Sequence, residues 1–302
     1  MASELQTYGD TAIVKSVQEE IEILTPVENL LMKNLRKSSA QAMVHQWQDD
    51  TLRTVASAAA SEITTHTPNA LTTPTLRTNL IEHVYLAGSV SEAQQKVRHY
   101  SGENEYARQV TKVMMDWSNA AEFDLLRSSL ISGVSGTAPR MNGVIKTLST
   151  NVTAQTSGTV FSESILIGLL KLTWDNSNGE SATDLLVGSN MKSRISGFGT
   201  GITKNVLQSD KMAGQVVQAY ESDYGTVNVH LHRYIQSSDA TARIAGIRMD
   251  KFYVAYLVDG EAKLTEYAKT KTSKDFVVNG YLTLENRNEK CSFFSSGYLN
   301  TF

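Results

Sequence analysis

The feature that most constrains this chain is a long stretch, Glu103–Ile131, that contains neither glycine nor proline. Gly102 precedes it and Gly133 follows it, so residues that favour helix ends bracket it. The pattern predicts one amphipathic helix roughly 40 Å long, which needs an equally long packing partner. Its apolar stripe comprises Tyr106, Val110, Val113, Met114, Trp117, Ala121 and Leu125, while Lys112, Asp116, Glu122 and Arg127 lie mostly off that stripe.

Length and charge exclude several classes of protein. The 302 residues suffice for two subdomains or one large domain with insertions. There is no run of apolar residues long enough to span a membrane, and no secretion signal. Up to Glu28 the chain has six acidic residues and one basic residue, the opposite of an arm that condenses nucleic acid. The single cysteine, Cys291, excludes an intrachain disulfide and fits a reducing cytoplasm.

Ahead of the long helix, the sequence predicts a projecting β-hairpin. Residues 42–48 and 80–86 have strand character. Between them, residues 52–78 are rich in Ala, Ser and Thr and have too few large apolar residues to bury a core of their own. Two strands joined by a long polar segment favour a hairpin that extends away from the body of the protein.

The remaining segments predict short helices and a late sheet. Thr25, Pro26 and Glu28 form a helix-start signal for a helix that should end near Lys37. The sequence Asn279-Gly280 is interpreted as a bulge in one continuous strand. Further helices are predicted from Ser91 to Val97, from Ser162 to about Trp174, and from Asn190 to the glycines near Gly197; strands are predicted over 143–148, 184–187, 215–220, 226–234, 242–249, 252–258, 263–267, 276–284 and 290–294.

Two sequence patterns resemble parts of ligand sites. His230 and His232, two apart on a predicted strand, point to one face and could be two metal ligands, but no third ligand has suitable spacing. The glycine-rich run Gly197–Gly201 follows a helix and has no closing Gly-Lys-Ser/Thr sequence, so it is interpreted as a chain turn rather than a phosphate loop. We assign no metal and no cofactor.

Catalytic patterns are equally incomplete. Ser135 misses the spacing of a nucleophile elbow by one residue. Cys291, beside two phenylalanines in a strand-like segment, is expected to be a packed thiol. Asp49 and Asp50, at the base of the hairpin, are expected to serve in a salt bridge or a turn. Because no nucleophile, base and oxyanion donor combine, we assign no catalytic residue and predict that the chain is not an enzyme.

The order of the segments resembles a known family. An acidic arm, a capped helix, a projecting hairpin, a long helix, a compact α/β section and late strands follow each other as in the major capsid proteins of tailed bacteriophages, which share the Hong Kong 97-like fold. Local sequence narrows the resemblance to the capsid family typified by phage SU10: Thr25-Pro26 at a helix start, Trp47 followed by Asp50 and Leu52, the segment Tyr220–Val227, and Tyr281–Leu284 followed by Glu285-Asn286.

The resemblance implies an α+β fold with named parts. These are an N-terminal arm and short helix (1–41), an extended β-hairpin or E-loop (42–88), the first part of the P-domain with its spine helix (89–158), an α/β A-domain (159–246), and the P-domain strands with the C-terminal return (247–302). No N-terminal region resembles a fused scaffolding domain, so the chain is expected either to rely on a separate scaffold or to be the mature form, and Met1 at the start favours the separate scaffold. No residue pair identifies the covalent Lys–Asn crosslink that some relatives form.

The resemblance also implies a function. We expect a major capsid protein that self-assembles through hexamers and pentamers into an icosahedral or prolate head, made in the bacterial cytoplasm and located in the virion. The implied partners are copies of the chain, packaged double-stranded DNA contacted without sequence specificity, and separate scaffolding, decoration and portal proteins; no membrane is implied. The alternatives are an encapsulin-type nanocompartment shell, a tube or fibre protein of the virion, and a soluble α+β enzyme.

Overall fold

A computed structural model describes residues 29–53, 55–60, 62, 63, 65, 71–97, 104–198, 219–236, 241–269 and 271–300. The helix-start signal at Thr25 and residues 215–218 of the strand predicted over 215–220 lie outside these ranges. No helix within them is long and apolar enough to cross a membrane. The helices are α1 (Leu30–Asn34), α2 (Glu92–Lys96), α3 (Glu105–Arg127), α4 (Val144–Thr147), α5 (Glu163–Ser177) and α6 (Ser189–Gly197).

The described strands form three sheets. The strands are β1 (Arg36–Ala40), β2 (Val44–Asp49), β3 (Thr75–Leu80), β4 (Glu82–Ser91), β5 (Val152–Thr159), β6 (Asp184–Val187), β7 (Ala219–Ser222), β8 (Gly225–Leu231), β9 (Thr241–Ile247), β10 (Phe252–Leu257), β11 (Lys263–Glu266), β12 (Ser273–Asn286) and β13 (Phe293–Leu299). One sheet has the order β1-β10-β12-β11 with β4 paired to β12, a second has the order β5-β13-β9-β6-β8-β7, and β2 pairs with β3 alone.

The predicted long helix is confirmed as α3, which packs on β4 and β12. Its start is capped by the Asn104 side chain, which accepts a hydrogen bond from the backbone N–H of Tyr106 at 3.0 Å. The buried stripe includes Trp117, Ala121 and Leu125, as the apolar spacing indicates. The 14-residue strand β12 is the long partner that this helix requires.

The strand β12 is continuous but has no bulge. Its pairing with β4 and β11 proceeds in regular register through Asn279 and Gly280, so the bulge predicted there is wrong. Gly280 is needed instead for the close packing of Trp117 against the strand. A Cβ atom on Gly280 would lie 2.6 Å from Cζ2 of Trp117, so only glycine lets the indole approach the strand this closely.

Further predictions differ from the structure. The first helix ends at Asn34 rather than near Lys37, because the following residues pair with β10 as the parallel strand β1. The strand predicted over 143–148 is the helix α4, which buries Val144 and Ile145. Gly143 starts it in close contact with the end of α3, where a Cβ atom would lie 2.8 Å from the Asp124 carbonyl oxygen. The strand β5 was not predicted.

The period-two pattern of the last third is confirmed, and its strands divide between the two larger sheets. β10, β11 and β12 join the sheet beneath α3, whereas β8, β9 and β13 join the six-stranded sheet. Strand β13 lies between β5 and β9, so the end of the described chain belongs to the six-stranded sheet and not to the sheet beneath α3. The helix α5 begins at Glu163 and α6 at Ser189, in agreement with the predicted α-β-α section.

Candidate assembly surfaces

The base of the hairpin formed by β2 and β3 is held firmly on the body of the subunit. The indole N–H of Trp47 donates to the backbone oxygen of Asn286 at 3.0 Å. The Nδ2 atom of Asn79 donates to the backbone oxygens of Leu284, at 2.7 Å, and Asn142, at 3.1 Å. These bonds fix the base of the hairpin on the body. The predicted hairpin is confirmed, but its return strand is β3 (Thr75–Leu80) rather than residues 80–86, because residues 82–86 belong to β4 and pair with β12.

The hairpin's tip carries apolar side chains that are almost fully exposed to solvent. Leu52, Val55, Ile63 and Leu71 are each between 93% and 98% exposed. Large apolar groups at this exposure are unfavourable in water and typically mark a surface that another protein buries. We define these four residues as the tip cluster.

The spine helix α3 is locked to the sheet by one buried tryptophan. The Nε1 atom of Trp117 donates to the Val84 carbonyl oxygen on β4 at 2.8 Å, and the indole lies against Gly280 on β12. A single side chain thus connects the helix to two neighbouring strands. This contact fixes the position of the helix on the sheet.

A buried carboxylate on α3 ties three parts of the chain together. Glu122, which is 0% exposed, accepts hydrogen bonds from the backbone N–H groups of Leu31, at 2.7 Å, and Met32, at 3.0 Å. It also contacts Nε2 of His232 at 3.0 Å. Glu122 therefore caps α1, whose own N-cap residue, Asn29, makes no side-chain cap bond. Sequence reasoning placed Glu122 off the apolar stripe and missed this role.

A second charged cluster lies near the end of α3. Arg140 bridges the carboxylates of Asp124, at 2.8 Å, and Glu82, at 3.3 Å. Burial, and after it the Glu82 carboxylate, raise the pKa of Asp124 to about 6 against the opposing effect of Arg140. The loop that supplies Arg140 also exposes Ile131 and Val134. Both the cluster and this second exposed loop escaped sequence reasoning.

The raised pKa predicts a specific pH dependence. Asp124 binds a proton more tightly in the folded than in the unfolded chain, where its pKa is near 3.8. The stability of the unassembled subunit should therefore fall as pH rises from 4 to 6, by on the order of 2 kcal/mol from this group. Asp124→Asn should flatten the profile in urea unfolding measured at several pH values, and Asp116→Asn, at an exposed position on the same helix, should not. An unchanged profile in Asp124→Asn would contradict the assignment.

The two candidate metal ligands are engaged by different carboxylates. His230 contacts Asp184 at 2.9 Å, and His232 contacts the buried Glu122. Among the residues that the structure describes, no group of three or more histidines, cysteines or carboxylates is arranged to hold a metal ion. Gly197 ends α6, as expected for a turn, and residues 199–201 lie outside the described ranges.

The remaining candidates have structural partners. Cys291 is buried with its thiol donating to Glu180 at 3.0 Å, and burial together with that carboxylate raises its pKa to about 12. Asp49 pairs with Arg77 across the hairpin at 3.0 Å. Asp50 accepts from the next backbone N–H at 2.8 Å, and Ser135 lies exposed in a turn. The packed thiol and the salt bridge that the sequence predicted are confirmed.

Solved structures that resemble this chain include phage and GTA capsids and an encapsulin. The capsid of an empty GTA particle matches with a TM-score of 0.67 and 11% identity over 99% of this chain and 99% of that chain. The capsid of Myoviridae phage XM1 matches with a TM-score of 0.63 and 12% identity over 95% of this chain and 100% of that chain. The SrpI encapsulin of Synechococcus elongatus PCC 7942 matches with a TM-score of 0.63 and 11% identity over 100% of this chain and 98% of that chain. At these identities the likeness establishes the Hong Kong 97-like fold.

Sequence comparison is more specific. No curated protein matches the chain. The family model described as SU10 major capsid protein, however, matches residues 3–298. Because this match covers nearly the whole sequence, and the fold is that of tailed-phage capsid subunits, the chain belongs to the SU10 major capsid protein family and forms part of the phage virion shell.

Proposed function

We propose that copies of this chain build a closed icosahedral or prolate head around double-stranded DNA, and that the hairpin is the principal device joining neighbours. The tip cluster carries this proposal, because it combines a rigidly fixed base with apolar side chains that are almost fully exposed. Burying the tip cluster against a second copy would remove this apolar surface from water. Many such contacts in one shell add up through multivalency.

We propose the same five-part division that the sequence implies, with one amendment. The spine helix and the sheet beneath it constitute the P-domain, and the six-stranded sheet with α5 and α6 constitutes the A-domain. Since β5 and β13 pair within the second sheet, they belong with the A-domain even though they lie in the 89–158 and 247–302 ranges. Hexamers and pentamers of this unit would form the shell.

The net charge of the chain bears on how it would contact packaged DNA. With a net charge of −3, the chain suits a shell filled with DNA by a packaging motor rather than one that condenses its genome, so contacts to DNA would be independent of base sequence. A separate scaffold, decoration proteins and a portal complete the proposal. We propose no enzymatic role, because Cys291 and the weighed carboxylates already have structural partners.

A second candidate is a nanocompartment shell, favoured by the similarity to the SrpI encapsulin. The family match favours the phage head. The two candidates differ in cargo, so nuclease-resistant double-stranded DNA in particles from the natural source would support the head, and protein cargo without DNA would support the nanocompartment.

The hairpin proposal predicts a loss of assembly without a loss of folding. Replacing the tip cluster together, Leu52→Ser, Val55→Ser, Ile63→Ser and Leu71→Ser, should prevent shells at concentrations where the wild type forms them. The melting temperature of the unassembled subunit should stay nearly unchanged, because the four side chains are already exposed. The matched control keeps the surface apolar (Leu52→Met, Val55→Ile, Ile63→Leu, Leu71→Met) and should still assemble. Normal assembly of the serine variant, measured by sedimentation velocity, would refute the role of the tip cluster.

A further inference from the structure

An aromatic surface lies on the face of the sheet that α3 does not cover. On β4 the buried Val84 faces α3, so His83 and Tyr85, its neighbours in sequence, point to the opposite face. Tyr281 on β12 pairs with His83 and lies on the same face. The ring centroids of His83 and Tyr281 are 4.3 Å apart, and those of His83 and Tyr85 are 5.4 Å apart, with both pairs stacked. We define His83, Tyr85 and Tyr281 as the aromatic ladder.

The ladder is exposed in the single subunit and is uncharged near neutral pH. Tyr85 is 61% exposed, and His83 is also exposed. Partial burial of the imidazole lowers the pKa of His83, so its ring is neutral near pH 7. Aromatic side chains dominate the energetics of many interfaces because each of them buries a large area. Three such rings on one sheet face therefore favour a partner that is uncharged and apolar.

The base of the hairpin rests on the same face of the sheet as the ladder. His45 on β2 contacts the Glu285 carboxylate on β12 at 3.3 Å. Glu285 and Tyr281 are four residues apart on one unbroken strand, so their side chains share a face. Residues 50–74 separate β2 from β3. Half of a segment of this length reaches at most about 40 Å, which is about the width of a folded domain of this size.

The tip cluster matches the ladder in chemical character. Its four side chains are aliphatic, and the only charged residues between positions 51 and 73 are Arg53 and Glu62, so that segment has no net charge. Packing it on an uncharged aromatic surface requires little desolvation of charged groups. The tip cluster of the same copy does not make this contact, because its side chains and Tyr85 are all exposed in the single subunit. The partner that fits the ladder is therefore a second copy.

We propose that the aromatic ladder of one copy receives the tip cluster of a second copy. This inference rests on the proposed function, in which the hairpin joins neighbouring subunits, and it names the surface to which the hairpin binds. The aliphatic side chains pack against the three rings, and both apolar surfaces are removed from water. The strength of assembly should therefore depend on an aromatic ring at position 85.

Disulfide trapping between separately prepared chains tests this contact directly. One chain carries a single tip substitution (Leu52→Cys, Val55→Cys, Ile63→Cys or Leu71→Cys), and the other carries Tyr85→Cys. The two chains are mixed, assembled and treated with a mild oxidant, and disulfide-linked dimers are measured on a non-reducing gel. The background is low because the native Cys291 is buried and its thiol donates to Glu180.

The matched control is a chain with Val134→Cys in place of Tyr85→Cys. Val134 lies on the loop that follows α3 and is 67% exposed, so the two positions are equally open to a neighbour. For at least one tip position, we expect about tenfold more dimer with Tyr85→Cys than with Val134→Cys, because a docked tip has a high effective concentration at the ladder. Preferential linkage to Val134→Cys, or linkage to neither position in shells that have formed, would overturn the inference and leave the proposed function intact.

A pair of substitutions at Tyr85 measures the same contact through assembly. Tyr85→Ser should raise the subunit concentration needed for half-maximal assembly about tenfold. The melting temperature of the unassembled subunit should stay nearly unchanged, because the ring is mostly exposed. Tyr85→Phe keeps the ring and should assemble at the wild-type concentration. Assembly of Tyr85→Ser at that concentration would overturn the inference, whereas failure of the wild-type chain to form any shell would overturn the proposed function itself.

Discussion

Replacing Trp117 with alanine is expected to lower the free energy of unfolding of the unassembled subunit by about 3–5 kcal/mol, and with it the yield of soluble protein able to assemble. The change removes a buried indole that contacts both strands beneath the spine helix, and it leaves the Val84 carbonyl oxygen without its donor. The cavity cannot close easily, because Gly280 has no side chain to fill it. Urea unfolding followed by circular dichroism measures the loss.

The matched control for this change is Phe123→Ala on the same helix. Phe123 is partly exposed and packs edge-on against Tyr234, so its loss should cost roughly 1 kcal/mol. Equal stabilities of the Trp117→Ala variant and the wild type would show that the apolar stripe of α3 does not hold the helix to the sheet.

The second large effect is expected at Glu122. Glu122→Ala leaves the N–H groups of Leu31 and Met32 and the ring of His232 without their shared acceptor in a fully buried site. The subunit should lose about 3 kcal/mol or more of stability. Because Glu122 caps α1, native-state hydrogen exchange at Leu31 and Met32 should also accelerate, by more than the global loss alone explains.

Two comparisons sharpen this prediction. Glu122→Gln keeps one acceptor oxygen and the side-chain volume, so it should lose less stability than the alanine variant. Asp116→Ala, at an exposed position on the same helix, should be nearly neutral. If Glu122→Ala and Asp116→Ala have the same free energy of unfolding and the same hydrogen-exchange rates, the contacts of Glu122 with α1 and His232 contribute nothing to the stability of the fold.

These residues also show how far sequence reasoning reaches. The spine helix, the hairpin and the late strands were predictable because each is encoded locally, in the spacing of apolar residues and in turn signals. The contacts of Glu122 with Leu31 and His232 could not be predicted, because these partners lie 91 and 110 residues away and no local pattern marks them. The same holds for the pairing of Arg140 with Asp124 and Glu82.

The wrong predictions have physical causes of the same kind. Residues 143–148 have a β-branched, apolar pattern that suits a strand, but contact with the end of α3 selects a helical turn. Asn279-Gly280 has the sequence of a tight turn, yet the indole of Trp117 requires glycine in an unbroken strand. In both cases tertiary packing overrides local preference.

The central claim is that this chain forms shells, and electron microscopy of the purified protein over a range of concentrations tests it most directly. We predict closed shells, or rings of subunits, that increase with concentration and disappear in the serine variant of the tip cluster. A strictly monomeric species that persists at high concentration would contradict the claim.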